Sequence, residues 1–341
     1  MNKIGFARFT AFVTVLALCV IVFGAYVRLS DAGLGCPDWP GCYGQLVAPT
    51  SQTAIDKANE VHPARPVHTA KAWKEMVHRY LAGSLGLAIV AVAAIGWMGR
   101  RHGLPVALPT ALVVLVVFQA LLGMWTVTLL VNPAIVTLHL AGGLTTLALS
   151  WWLSLREGRW LGSSPVQFAY LRPWVIGGLG LLMAQLLLGG WTSTNYAAMA
   201  CPEFPTCHSN SWWPAANFAE GFTLWRPFGV NYEFGVLDSP ARTAIHLAHR
   251  FGALTVLLYI TVLAIMVMRA ARLPVHQRLG GGMLLILFVQ IGLGITNVVA
   301  SLPLAVAVAH NGGAALLLLA MVSLFHLTSR TGIHSQGEQP E

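Results

Sequence analysis

The chain has 341 residues, of which 56% are hydrophobic and only 9% charged, and its mean hydropathy is +0.67. A soluble domain carries roughly a quarter charged residues, so this composition excludes an ordinary soluble protein and points to an all-α polytopic membrane protein. The net charge of +8 is no nucleic-acid signature, because the basic residues flank apolar runs instead of forming a patch.

Eight apolar runs are long enough to cross roughly 30 Å of hydrocarbon: residues 9–27, 80–99, 104–131, 134–155, 173–199, 251–268, 279–300 and 304–329. No small-residue cleavage site follows the first run, so it is expected to be a retained helix and not a signal peptide. No Arg/Ser-rich transit segment precedes it, which favours a bacterial protein. Lys3, Arg8, Arg100, Arg101, Arg156, Arg159, Arg172, Arg269, Arg272, Arg278 and Arg330 fall on one side. That side is expected to be cytoplasmic, with both termini inside and the chain in the bacterial inner membrane. The opposite side carries two long loops, 31–74 and 200–245, with most of the acidic residues, although Lys57, Arg65, Lys71 and Lys74 also lie there.

In chain order, the first run closes on Gly24-Ala25-Tyr26-Val27 and enters Cys36-Pro37-Asp38-Trp39-Pro40-Gly41-Cys42 twelve residues after Gly24. The loop ends at Glu75-Met76-Val77-His78-Arg79, the mouth of the second run. The third run contains Gln119 and Gly123, and the fourth reads Leu138-His139-Leu140-Ala141-Gly142-Gly143. Residues 157–170, with Gly, Ser and Pro, form a cytoplasmic linker. The fifth run closes on Gly189-Gly190-Trp191-Thr192 and enters Cys201-Pro202-Glu203-Phe204-Pro205-Thr206-Cys207, again twelve residues on. His249-Arg250 opens the sixth run, Gln290 and Gly294 lie in the seventh, and the eighth reads Ala309-His310-Asn311-Gly312-Gly313. Residues 331–341 are expected to be a disordered cytoplasmic tail.

These matches predict a tandem duplication of residues 1–156 and 171–330, shifted by 165 residues at the cysteines and 171 at the histidines. Four helices per unit is an even number. Two four-helix bundles should then share one orientation about a pseudo-twofold axis along the membrane normal. The small residues Gly123, Gly142, Gly143, Gly294, Gly312 and Gly313 either let helices pack closely or make room for a planar ligand.

His78 and His139 are 61 residues apart, as are His249 and His310, and all four are placed at one depth in the outer leaflet. His78 and His249 are expected about one turn inside their helices. An ionisable group inside the bilayer is costly and implies a functional partner. Two facing imidazoles per half suit a hexacoordinate heme iron. Zinc would ask for four protein ligands, or three and a water, and the apolar bundle offers no Cys, Asp or Glu to complete the set. The expectation is two bis-histidine heme sites side by side. Arg79 and Arg250 either pair with heme propionates or are helix-end arginines that snorkel. Glu75 lies three residues before His78 on the same helix face, and His246 takes its place in the second unit. That asymmetry suggests proton or cation chemistry at the N-terminal site and electron transfer at the C-terminal one. The alternative is a helix-start carboxylate in a favourable dipole.

The Glu75–Arg79 motif, His249-Arg250, the membrane histidines His139 and His310 and the paired loop cysteines resemble the heme A synthase family over nearly the whole chain. The resemblance implies an oxidoreductase acting on a CH group, converting the heme O methyl to the formyl of heme A by successive hydroxylations. It implies heme O as substrate on His78 and His139, and heme b as cofactor on His249 and His310. It further implies Glu75 as the essential carboxylate, stabilising a cation at the methyl carbon that water quenches. Cytochrome oxidase biogenesis is the implied context, with heme O synthase and oxidase assembly factors as partners, a separate electron-transfer partner, and homo-oligomerisation open.

Cys36/Cys42 and Cys201/Cys207 lie in loops assigned to an oxidising compartment. Five intervening residues with two prolines close a turn that suits a disulfide in each loop, as a staple or as a redox pair. Cys19, in the first run, is expected to be a small buried apolar residue. His62, His68 and His208 are expected to be exposed loop residues. The competing function is a diheme b-type membrane electron-transfer protein, quinol or thiol linked, but it would place its hemes at different depths. A thiol oxidoreductase leaves the histidines unexplained, and a transporter would need more charged groups.

Overall fold

In the computed structural model, described for residues 2–158, 160–161, 166–208 and 211–329, the chain is all-helical. Eight helices are long and apolar enough to cross a membrane: α1 (Lys3–Leu29), α3 (Thr69–Met98), α4 (Ala107–Thr128), α5 (Pro133–Gly158), α6 (Arg172–Thr194), α8 (Ser239–Ala270), α9 (Pro274–Val299) and α10 (Leu304–Ser329). Two short helices, α2 (Gln52–Val61) and α7 (Phe218–Gly221), lie in the long loops. Arg159, residues 162–165 of the linker, Arg330 and the tail 331–341 lie outside the described residues.

The eight expected spans are all present, but two start far from their apolar edges. Helices α3 and α8 begin at Thr69 and Ser239, roughly three turns before the hydrophobic runs at 80 and 251. His78 and His249 therefore sit well inside their helices and not one turn from the start. The reason is local. The added turns are amphipathic and bury Ala72, Glu75 and Met76, or Ala241 to Leu247, against the loops. A hydropathy window sees only the lipid-facing part. Start signals were nonetheless present for α8, where Asp238 accepts from Ala241 N at 2.9 Å and Pro240 lies in the first turn.

Contacts arrange the long helices as two closed rings. In one, α1 packs on α3 and α5, and α4 bridges α3 and α5; in the other, α6 packs on α8 and α10, and α9 bridges α8 and α10. The rings meet where α1 touches α10 and α5 touches both α6 and α10. One apolar core runs through both, from Phe6, Val13 and Val20 through Ile89 and Leu147 to Leu182, Ile260, Met283 and Leu318. All of it lies toward the ends of the helices remote from the cysteine loops. The histidines stand on the loop side of that core, and all four are half-buried.

The α4–α5 and α9–α10 turns place two successive non-glycine residues at positive φ, Leu130 and Val131 at 52° each, Ser301 and Leu302 at 58° and 61°. A β-branched residue such as Val131 is uncommon there. Each turn is closed by a short backbone bond, Val131 N to Thr126 O at 2.8 Å and Leu302 N to Asn297 O at 2.7 Å, and each is followed by proline, Pro133 or Pro303.

Cys19 departs from expectation: it is exposed, beside Leu18, Val22 and Phe23 in a groove between α1 and α10. The buried stripe of α1 runs through Val13, Thr14, Ala17 and Val20, and Cys19 falls off that helical period.

Candidate functional site

Each of the four histidines faces a glycine on the neighbouring helix of its own ring. A Cβ built on Gly24 would come within 2.8 Å of His78 Cε1; the values are 3.5 Å for Gly123 and His139, 3.3 Å for Gly189 and His249, and 3.1 Å for Gly294 and His310. The glycines that marked the repeat thus let an imidazole lie against a helix backbone. Gly142 and Gly313 instead receive the carboxamides of Gln119 and Gln290, while Gly143 and Gly312 merely pack against Ile21 and Val22 of α1. The small residues make room for side chains of neighbouring helices, which is the packing reading.

The structure brings His78 close to His139, and His249 close to His310. Among the described residues none of the four Nε2 atoms has a hydrogen-bond partner, and none is sealed within the protein. The Nδ1 atoms point back into the scaffold. His249 Nδ1 lies 3.0 Å from the Gln185 carboxamide, and His310 Nδ1 lies 3.2 Å from the Gln290 carbonyl. His78 Nδ1 and His139 Nδ1 are buried without a partner; His139 sits beside the Gln119 carbonyl, but not in hydrogen-bond alignment. Among the described residues no three His, Cys, Asp or Glu side chains cluster as a metal site. Two open nitrogens with no third donor do not fit zinc. They fit an iron whose other four ligands come with it, as in a porphyrin.

Glu75 is 4% exposed. Its Oε2 accepts from Cys36 N at 2.9 Å and its Oε1 is ion-paired with Arg79. Arg79 also donates to the carbonyls of Pro40 and Gly41. In the second ring His246 takes over the same work: its Nδ1 lies 3.1 Å from Cys201 N and its Nε2 is 3.2 Å from Arg250 Nε. Arg250 donates to the carbonyls of Cys201 at 2.8 Å, Glu203 at 2.7 Å and Thr206 at 2.9 Å. Glu75 and His246 are therefore both loop anchors, a role that residue identity alone did not reveal. The difference is chemical: the first is a carboxyl group and the second an imidazole, each one helical turn from a candidate ligand.

Both cysteine pairs are bonded, Cys36–Cys42 with a Cα–Cα distance of 4.9 Å and Cys201–Cys207 with 4.4 Å. The first disulfide holds the very N–H that meets Glu75. His62 packs edge-on against Tyr43 at 5.5 Å between ring centroids, and His68 is exposed; neither these nor His208 joins the four histidines. Sequence reasoning missed Gln185, and also Arg28, whose Nη1 and Nη2 donate to Tyr196 OH at 3.0 Å and Ser193 O at 2.9 Å. Arg28 thereby ties α1 to the end of α6. A basic residue at the loop end of a helix gave no hint of that partner.

The profile of the cytochrome oxidase assembly protein family matches residues 7–322. The chain is similar to the heme A synthase of Shewanella oneidensis, 43% identical over 93% of this chain and 96% of that protein. It is also similar to the heme A synthases of Caulobacter sp. strain K31, 28% identical over 90% and 91% of the two chains, and Allorhizobium ampelinum, 27% identical over 89% and 85%.

Proposed function

The chain belongs to the heme A synthase family of cytochrome oxidase assembly proteins, and we propose that it oxidises the methyl group of heme O to the formyl group of heme A at His78 and His139 while His249 and His310 hold a heme b. The observation that carries this reading is the paired, open Nε2 atoms of each ring, with a buried carboxylate beside only one pair.

In this reading residues 1–156 and 171–330 are tandem four-helix halves joined by the 157–170 linker. The two closed helix rings and the recurring positive-φ turns support it. The flanking basic residues support a topology with both termini in the cytoplasm and the histidines toward the outer leaflet of a bacterial inner membrane.

The overall change, CH3 + H2O → CHO + 4H⁺ + 4e⁻, removes two electrons and two protons in each of two oxidations. A geminal diol then loses water to give the aldehyde. His78 and His139 orient the substrate through its iron. Glu75 holds negative charge next to that site, stabilising positive charge that develops at the methyl carbon and accepting protons. Arg79 fixes the carboxylate, and the Cys36 N–H fixes its orientation. Arg79 and Arg250 also supply positive charge for propionates, alongside their loop contacts. A bound heme b supplies one-electron transfer toward an external acceptor. Heme O synthase is the natural source of substrate.

The test is co-production with heme O synthase, followed by heme extraction and separation. Heme A with retained heme b is expected. Protoheme alone, with no conversion of supplied heme O, would sink the proposal in favour of a diheme electron-transfer protein.

A further inference from the structure

Three of the four candidate ligands have a glutamine–glycine pair beside them that the fourth lacks. His139, His249 and His310 are each followed three residues later by a glycine, Gly142, Gly252 or Gly313, against which a glutamine of a neighbouring helix lies: Gln119, Gln185 or Gln290. One polar end of each carboxamide is buried without a partner, Gln119 Nε2, Gln185 Oε1 and Gln290 Oε1. His78 has neither element. Leu81 stands three residues after it, and Val20, in the register of Gln185 one turn before the ring-facing glycine, fills the apolar core. His78 Nδ1 is buried without a partner, as is His139 Nδ1, which its neighbouring glutamine does not reach.

The most direct of these pairs is at His249. Gln185 Nε2 lies 3.0 Å from both His249 Nδ1 and His249 O, and a Cβ on Gly252 would approach the Gln185 Cδ to 3.2 Å and overlap its Oε1. Glycine there is the space the amide occupies. An iron bound at Nε2 fixes the hydrogen on Nδ1, so the loaded site requires an acceptor at that position. A turn of the amide presents Oε1 to that hydrogen and gives up the Nε2 bond to His249 O. Such an acceptor orients the ring and raises its basicity as a ligand.

We propose that Gln185, seated on Gly252, is the positioning residue that makes the His249–His310 site a retaining one, and that Val20 and Leu81 leave His78 an unbraced ligand suited to exchange. This rests on the assignment of the two histidine pairs to a resident heme and a transient substrate heme. With Nδ1 buried and unpartnered, the His78 ring gains no hydrogen bond from holding one orientation. A site that must release its product uses this looseness; a site that only passes electrons does not.

The experiment uses the full chain in detergent, loaded with protoheme. Transfer of heme to excess apomyoglobin gives the release rate, and electron paramagnetic resonance and redox titration report on the ligand field. Gln185→Leu is expected to release the retained heme about 10–100-fold faster. Gln185→Glu, a stronger acceptor, should keep the heme and lower its reduction potential. The graft Val20→Gln with Leu81→Gly should raise protoheme retention from one toward two per chain. Unchanged release, spectrum and potential in both Gln185 variants would overturn the proposal even if His249→Ala loses the heme, because the ligand assignment would then stand without the brace. If His249→Ala keeps heme as tightly as the parent, the ligand assignment itself fails, and the proposal with it.

Discussion

Replacing Glu75 by histidine separates its two roles, because the second ring already runs its loop anchor on an imidazole. Glu75→Ala removes the acceptor of Cys36 N and the counter-ion of Arg79 together. Stranding one partner of a buried ion pair costs about 3–5 kcal/mol, enough to free the Cys36–Cys42 loop from α3. Glu75→His copies His246. A neutral imidazole has one acceptor nitrogen, so one of the two donors loses its partner, at about 1–3 kcal/mol. The histidine variant should therefore lose roughly half as much stability as the alanine variant while losing all heme A formation. Thermal unfolding in detergent and limited proteolysis of the 31–68 loop read the first effect, and heme extraction reads the second. Retained conversion in Glu75→His would refute the chemical role of the carboxylate. Equal stability of the alanine variant and the parent would refute the anchor. Protoheme retention at His249 and His310 should be unaffected in both.

Alanine at the ring-facing glycines should act in the order of the space available: Gly24→Ala most, then Gly294→Ala, Gly189→Ala and Gly123→Ala, following 2.8, 3.1, 3.3 and 3.5 Å. Overpacking of about 1–3 kcal/mol is expected for Gly24→Ala, with loss of conversion but not of heme b; equal effects at Gly24 and Gly123 would contradict it. The double change Cys36→Ala, Cys42→Ala should cost about 2–3 kcal/mol and lower heme A yield in step with loop opening, since it loosens the N–H that meets Glu75. Full yield with an opened loop would show that the disulfide does not support the site. Arg28→Ala should lower the unfolding temperature without changing heme content, because its hydrogen bonds to Tyr196 and Ser193 join the rings and touch no histidine.

Much of this protein was legible from residue order. Lipid forces every span to be a long apolar helix with internal backbone bonds, so eight hydrophobic runs predicted eight helices. Charges are so expensive there that His78, His139, His249 and His310 stood out without a structure. The family could be recognised from those residues and the cysteine pairs. What hydropathy could not supply was direction. Lipid-facing and protein-facing side chains are equally apolar, which is why Cys19 was assigned to the interior and lies on the outside of α1. The early starts of α3 and α8 escaped for a related reason, since their first turns are held by loop contacts made across the chain. Glu75 was read as a chemical group or a helix-start carboxylate and is also a loop anchor, in a place that His246 takes in the second ring. Gln185 and Val20 are ordinary helix residues until the fold sets one beside an imidazole and the other in the core. Composition and spacing singled out the two histidine pairs; only tertiary packing decided which imidazole nitrogens meet a partner, because a hydrogen bond between helices depends on rotation and register that no single helix encodes.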